Sequence, residues 1–255
     1  MNNIVKLKNL RIGEGIPKIC VPIIGKNDTE IIEEVKQIKK SKPDLVEWRV
    51  DYYQDVENFN KVKEILKVIR HEIKDIPILF TFRTKKEGGV KDLSIEEYIN
   101  LNKEMIATKM IDIIDIELFL GDKIVSNLID IAHKNNIKVI ISNHEFSSTP
   151  SKQEIINRLC KMQDLKGDIC KIAVMPNSIK DLITLLDATQ EMKELYSTTP
   201  IVTMSMGKLG MISRLSGEIF GSSITFGTIS DKVSAPGQIC IEELKNALDI
   251  IHKSV

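Results

Sequence analysis

The chain has 255 residues, 42% apolar and 28% charged, the balance of an ordinary soluble globular protein with ample material for a core. Lysine plus arginine (36) equals aspartate plus glutamate (36), and zero net charge argues against a nucleic-acid or membrane-surface role driven by bulk electrostatics. Cys20, Cys160, Cys170 and Cys240 show no metal-ligand spacing, no signal peptide opens the chain, and no apolar run approaches the ~18 residues that span a membrane, so a cytoplasmic protein with reduced thiols is expected.

In chain order, residues 4–17 predict a short β-hairpin with Gly13 and Gly15 at its turn. Short β-branched runs follow at 18–25, 44–53, 77–84, 110–118, 138–146, 168–176, 200–207 and 223–229. Amphipathic segments at 29–41, 57–73, 94–107, 122–135, 151–164, 178–195 and 239–252 separate them. The first of these carries Ile31, Ile32, Val35 and Ile38 at helical spacing. Asp28 and Thr29, Ser94 and Ser151 are candidate N-caps. Strands alternating with helices over this length have the size and rhythm of a (β/α)8 barrel. A doubly wound open sheet competes, but no G-x-G-x-x-G follows the first strand. Without a linker, low-complexity tract or repeat, residues 1–255 are expected to form a single TIM-barrel domain, with the hairpin of residues 1–17 closing the barrel bottom.

Catalytic groups of such a barrel sit at the C-terminal ends of its strands, so polar residues can be read by the period of two. Alternation from Asp44 places Glu47, Arg49 and Asp51 on one face, either in the barrel mouth or in a structural ion-pair layer. The next strand places Thr81 and Arg83 together, and Gly88-Gly89 gives the following loop freedom to carry Glu87 over the mouth. Asp115 and Glu117 share a face suited to orienting a lysine or arginine. His144 lies near the end of strand five, where a histidine suits proton transfer, although a lone histidine is more often structural. Strand six, Asp-Ile-Cys-Lys-Ile-Ala-Val-Met-Pro from Asp168, holds Lys171 amid apolar residues. Desolvation lowers a lysine pKa toward the nucleophilic amine, but a snorkelling or ion-paired lysine fits this pattern as well. Met204 and Met206 share a face that in isolation reads as core. Arg214 follows in a loop rich in Gly, Ser and Met, and residues 230–238 form a small-residue loop able to close as a lid.

Together these marks resemble the type I 3-dehydroquinate dehydratases (3-dehydroquinases) of the shikimate pathway along the whole chain. They are Glu47-Trp48-Arg49, Phe80-Thr81-Phe82-Arg83 with Glu87-Gly88-Gly89, Ser142-Asn143-His144, Lys171-Ile172-Ala173, Met204-Ser205-Met206-Gly207, Arg214 and Ser234-Ala235-Pro236-Gly237-Gln238. The resemblance implies a homodimeric TIM-barrel lyase with neither metal nor organic cofactor, dehydrating 3-dehydroquinate by syn elimination. Lys171 then forms a Schiff base with the C3 ketone, His144 shuttles protons and Glu87 orients it. Arg214 anchors the substrate carboxylate, while Glu47, Arg49 and Arg83 surround the ring hydroxyls. Met204, Met206 and Phe226 form apolar walls, with Ser234, Ala235 and Gln238 on the closing loop. Glu145 receives no role.

The residue types fit this chemistry in their own right. A protonated imine is a better electron sink than a ketone, so covalent catalysis divides a hard elimination into easier steps. The arginines, together with burial, are expected to keep the Lys171 amine partly unprotonated. Two other readings are a Schiff-base aldolase and a barrel that only binds a cyclitol-like acid. Arg214 and the 234–238 loop suit a carboxylate better than the phosphate nest usual after the last two strands. Retention of the lysine, histidine and arginines speaks against a binding protein without catalysis.

Overall fold

Two periodicities build the molecule: alternation along the β-branched runs and the helical spacing between them. The computed structural model describes residues 4–229 and 234–254. Ser230, Asp231, Lys232 and Val233, in the first half of the expected lid, lie outside the described residues. Strands β1 (Val5–Leu7) and β2 (Leu10–Ile12) form the antiparallel hairpin, with Val5 opposite Ile12. Its turn is Lys8-Asn9, not Gly13 and Gly15 as expected. Lys8 takes the left-handed φ of 52° that a tight hairpin demands, a position where glycine or asparagine is the usual signal. The two glycines lead instead from β2 into the barrel.

The barrel strands are β3 (Lys18–Ile23), β4 (Leu45–Arg49), β5 (Ile78–Thr81), β6 (Ile113–Glu117), β7 (Lys138–Glu145), β8 (Ile169–Val174), β9 (Ile201–Ser205) and β10 (Ile224–Thr228), each parallel to the one before it from β4 to β9. β10 pairs with β3, and the ring closes through a bridge between Ile201 and Ser222 beside β10. There the Ser222 hydroxyl substitutes for a backbone group, accepting from Thr203 N at 3.0 Å. Helices α1 (Asp28–Ser41), α2 (Phe59–Ile73), α3 (Ile95–Thr108), α4 (Asp122–Lys134), α5 (Lys152–Asp164) and α6 (Ile179–Glu191) follow strands β3 to β8. The single turns α7 (Ile212–Leu215) and α8 (Gly217–Phe220) follow β9, and β11 (Ile239–Cys240) leads into α9 (Ile241–His252). The result is the expected α/β TIM barrel. Ser94 and Ser151 cap α3 and α5 as expected. Asn27, not Asp28 or Thr29, caps α1 by accepting from Glu30 N, while Asp28 accepts the Tyr53 hydroxyl at 2.7 Å.

Residues facing outward from the strands, such as Trp48, Phe80, Ile116 and Ile172, pack against the apolar helix faces. The interior is divided. At the bottom, Cys20, Leu45, Leu79, Ile113, Ile140, Ile169, Val202 and Ile224 form an apolar layer, plugged by Val5, Leu7 and Ile12 of the hairpin. One period further along the strands the interior turns polar, with Glu47, Thr81, Asp115, Ser142 and Lys171. The register sets Ser142 beside Lys171, and His144 beside Ala173.

Ile12 is fully buried in this plug. Ile12→Ala should therefore cost about 2–5 kcal/mol in urea unfolding. A loss below ~1 kcal/mol would show that the hairpin does not seal the barrel.

Candidate active site

The polar interior is organised by Arg83, which is almost wholly buried. Its Nη2 donates to Asp115 Oδ2 at 2.8 Å, and its Nη1 donates to Glu117 Oε1 and Ser142 Oγ, each at 2.9 Å. Burial works against this charge, but Asp115, Glu117 and Glu87 outweigh it and raise the Arg83 pKa. Burial likewise pushes the Asp115 carboxyl upward, and Arg83 and Lys171 more than reverse that push, holding it below its usual range. Glu117 also accepts Thr84 N at 2.9 Å and Thr84 Oγ1 at 2.7 Å, fixing the start of the β5 loop.

Lys171 projects from β8 into this layer. Its Nζ lies 3.8 Å from Glu47 Oε1 and 3.6 Å from Asp115 Oδ2, and 4.5 Å from the centre of the Phe226 ring. Thr81 Oγ1 donates to Glu47 Oε1 at 2.9 Å, fixing that carboxylate. Of the two carboxylates, Asp115 is on the face expected to orient a lysine or arginine, while Glu47 was not expected beside Lys171.

Arg49 and Glu47 point into the mouth, but Asp51 departs from simple alternation. The chain turns into a 3-10 helix, Val50–Tyr52, immediately after β4. Asp51 is thereby folded back to hold Arg49 in a fork, at 2.8 Å from Nε and 2.9 Å from Nη2. It also accepts from Val90 N at 3.2 Å, tying down the loop beyond Gly89.

Glu87 ends a 3-10 turn, Lys85–Glu87, whose closing residue Gly88 has φ of 85°. Gly88 uses the left-handed freedom of glycine to turn Glu87 over the mouth, and both glycines also allow close approach. A Cβ on Gly88 would lie 2.2 Å from the Phe146 ring, and one on Gly89 would lie 1.8 Å from Arg83 O. So positioned, Glu87 Oε2 accepts from His144 N at 2.9 Å and stands 3.0 Å from His144 Nδ1. Its Oε1 accepts from Asn143 Nδ2 at 3.2 Å. Burial raises the Glu87 carboxyl to about 8 against the pull of Arg83. The His144 imidazole is held well below its ordinary range by burial, and further by Arg83, Lys171 and Arg49. His144 is therefore neutral at pH 7, with Nε2 left for the cavity.

Arg214, on α7, is only partly satisfied among the described residues. Nη2 donates to Pro236 O at 2.9 Å, while Nε and Nη1 are buried without a partner among the described residues. Burial lowers its pKa to about 10. The 234–238 loop crosses the mouth, where Ser234 N donates to Gln238 Oε1 and Gln238 Nε2 donates to Ser234 Oγ, both at 2.9 Å. Arg49 Nη1 donates to Ser234 O at 3.4 Å. Gly237, with φ of 80°, lies so close to Gly207 that a Cβ would meet its carbonyl at 2.6 Å.

These groups enclose a cavity of about 440 Å³, counted out to its opening. Every residue expected in the site lines it: Lys171, His144, Glu87, Glu47, Arg49, Arg83, Met204, Met206, Arg214, Phe226, Ser234, Ala235 and Gln238. Gly88, Phe146 and Ala173 line it too and were not expected there. Ala173 lies two residues beyond Lys171 on the same face of β8, so the period of two carried its signal, whereas Phe146 lies just past the end of β7. A buried amine, a neutral imidazole and a guanidinium with free donors can together add to a carbonyl, move a proton and hold an anion.

Arg83→Met would leave Glu117 buried without its counter-charge and Asp115 with Lys171 alone, at a cost of about 3–5 kcal/mol at pH 7. Asp115 is depressed in the folded wild type, so its stabilising effect is present above the usual carboxylate range and fades as pH falls. Urea midpoints for the two proteins should therefore converge toward acid pH. A constant gap would mean that the loss is one of packing alone.

Comparison with known proteins places this geometry. Residues 19–255 match the family model for type I 3-dehydroquinase. The 3-dehydroquinate dehydratase of Clostridioides difficile (strain 630) is 54% identical over 255 residues, covering 100% of both chains. That of Bacillus subtilis (strain 168) is 50% identical over 252 residues, 99% of this chain and 98% of the relative. The crystal structure of the type I enzyme from Clostridium difficile, 54% identical with full coverage of both chains, superposes with a TM-score of 0.97. The Enterococcus faecalis enzyme, 44% identical, superposes with a TM-score of 0.91 over 96% of this chain and 98% of that one. The chain belongs to the type I 3-dehydroquinase family.

Proposed function

We propose that the chain dehydrates 3-dehydroquinate to 3-dehydroshikimate by syn elimination of water, with Lys171 as the Schiff-base lysine and His144 as general acid and base. One observation carries the reading: Lys171, the neutral His144 imidazole and Arg214, two of whose guanidinium nitrogens have no partner among the described residues, line the same cavity. The Clostridium difficile relative, crystallised with covalently modified comenic acid, supports covalent chemistry at this kind of site.

In this reading, Lys171 Nζ adds to the C3 carbonyl, and the carbonyl oxygen leaves as water to give a protonated imine. His144 takes a proton from C2, and its electron pair enters the imine to form an enamine. The pair then returns toward C1, breaking the C1–O bond while His144 gives its proton to the departing hydroxyl. Water adds to the conjugated imine, releasing the enone and the free amine. The reaction so written needs no metal or organic cofactor.

Glu87 sets the state of the histidine. When ionised, it accepts a hydrogen bond from Nδ1–H, and the Nε2 lone pair faces the cavity as a base. When protonated, it donates to Nδ1, placing the hydrogen on Nε2 and removing the base. Arg214 supplies the carboxylate anchor, since its free donors match an anion. Arg49 and Glu47 meet the ring hydroxyls. Arg83, largely committed to Asp115, Glu117 and Ser142, contributes charge more than donors. Met204, Met206 and Phe226 pack on the ring, and Ser234, Ala235 and Gln238 cover it as part of a closing loop.

The proposal extends to a homodimer acting in the cytoplasm, with no nucleic-acid or membrane partner. No helix among the described residues is long and apolar enough to cross a membrane. Sedimentation at micromolar concentration tests the assembly.

Three activity measurements test the chemistry. His144→Ala should lower kcat by about 10²–10⁴-fold with a smaller change in KM. Arg214→Met should instead act mainly on KM, raising it about 10–100-fold, because it removes charge-assisted hydrogen bonds. The base-competent state needs ionised Glu87, so kcat should rise with pH through about 8. Glu87→Gln should abolish that limb, and a limb surviving in the variant would assign it elsewhere.

A further inference from the structure

Glu87 meets one more neighbour whose orientation is set from outside the barrel. Asn143 lies between the inward-facing Ser142 and His144 on β7, so its side chain leaves the barrel on the helix side. Its Nδ2 donates to Glu87 Oε1 at 3.2 Å, and its Oδ1 accepts from Nη1 of Arg158, on α5, at 2.8 Å. Arg158 is itself held: Nε donates to Glu154 Oε1 at 2.7 Å, Nη1 lies 3.6 Å from Glu145 Oε2, and the guanidinium sits 5.2 Å from the Phe119 ring centre. A guanidinium carries donors only, so it takes the oxygen end of the amide. The NH2 end must then face Glu87.

We propose that Arg158 is a positioning residue for proton transfer: through Asn143 it holds Glu87 as a hydrogen-bond acceptor and so keeps the imidazole proton on His144 Nδ1. The inference rests on the reading of His144 as the base. A carboxylate that accepts a hydrogen bond is favoured as the anion. An amide freed from Arg158 can turn over and present its oxygen, which favours the protonated acid and silences the base. The other groups facing Glu87 are Arg83 at 3.7 Å, His144, Glu117 and Asp115, while Lys171 and Arg49 add their charge at His144. None of these changes when Arg158 is replaced.

The test is the pH dependence of kcat and KM for 3-dehydroquinate in wild type, Arg158→Met, Arg158→Lys, Glu87→Gln and the Glu87→Gln/Arg158→Met double variant. In Arg158→Met the ascending limb of kcat should move to higher pH by about half a unit to one unit, with KM within about twofold. Arg158→Lys, still a pure donor, should restore the limb. With Glu87→Gln in the background, Arg158→Met should add no further shift. A uniform loss of kcat at every pH, with the limb in place, would show a structural tether only and overturn the proposal. Should Arg158→Met fail to fold, Arg158→Gln, whose amide can present either end, should shift the limb part of the way, and an unmoved limb there is equally fatal. A limb removed by Glu87→Gln but unmoved in the Arg158 variants overturns the Arg158 assignment alone. A wild-type limb that Glu87→Gln leaves intact overturns the reading of Glu87 beneath it as well.

Discussion

A single buried guanidinium makes the rest of this interior possible. Arg83 sits where a barrel ordinarily stacks branched apolar side chains, and its charge would be untenable there alone. Asp115 and Glu117 compensate it, Ser142 completes the coordination of Asp115, and Thr84 ties Glu117 to the loop above. The carboxylates in turn need the cations, because Asp115 stands between Arg83 and Lys171. The charges of these fixed groups thus hold the lysine in place, with no hydrogen bond on its nitrogen among the described residues. The same layer leaves Arg214, farther along the mouth, as a cation with two nitrogens unpartnered among the described residues.

The two halves of the barrel divide the labour. The apolar layer and the hairpin plug supply burial at the bottom, and the polar layers above use that rigidity to hold charges a few ångströms apart. The bonds on Glu87 from His144 and Asn143, and the two glycines packed under it, leave its carboxylate little freedom. Such preorganisation is what lets a neutral imidazole act at one point in space. The 234–238 loop joins this system through carbonyl oxygens, with Arg49 on Ser234 O and Arg214 on Pro236 O. Both of these cavity-lining arginines therefore also hold the loop that crosses the mouth.

Much of this was legible from alternation and order along the chain. The period of two put Glu47, Arg49, Thr81, Arg83, Asp115, Glu117, His144 and Lys171 inside, since a regular parallel strand gives each side chain one of only two directions. The reading failed where the backbone left that regularity. Asp51 lies within a 3-10 turn, so parity alone did not place it, and it joins Arg49 in an ion pair, the other of the two readings. The hairpin turned at Lys8, a left-handed lysine that no turn propensity announces. Gly88 supplies the left-handed turn that glycine's freedom suggested, but the close approach of Gly88 to Phe146 and of Gly89 to Arg83 O is shown only by three-dimensional packing. Pairings between distant segments were equally out of reach. Nothing in the sequence says that Arg158 on α5 faces Asn143, or that Glu47 joins Asp115 beside Lys171.

The central claim is that the Lys171 amine becomes covalently bonded to substrate. Borohydride reduction in the presence of 3-dehydroquinate, followed by intact-mass measurement and peptide mapping, tests it most directly. The account predicts a stable adduct on the peptide containing Lys171, absent from Lys171→Ala. Dehydration proceeding with no trapped adduct, or an adduct on another lysine, would contradict it.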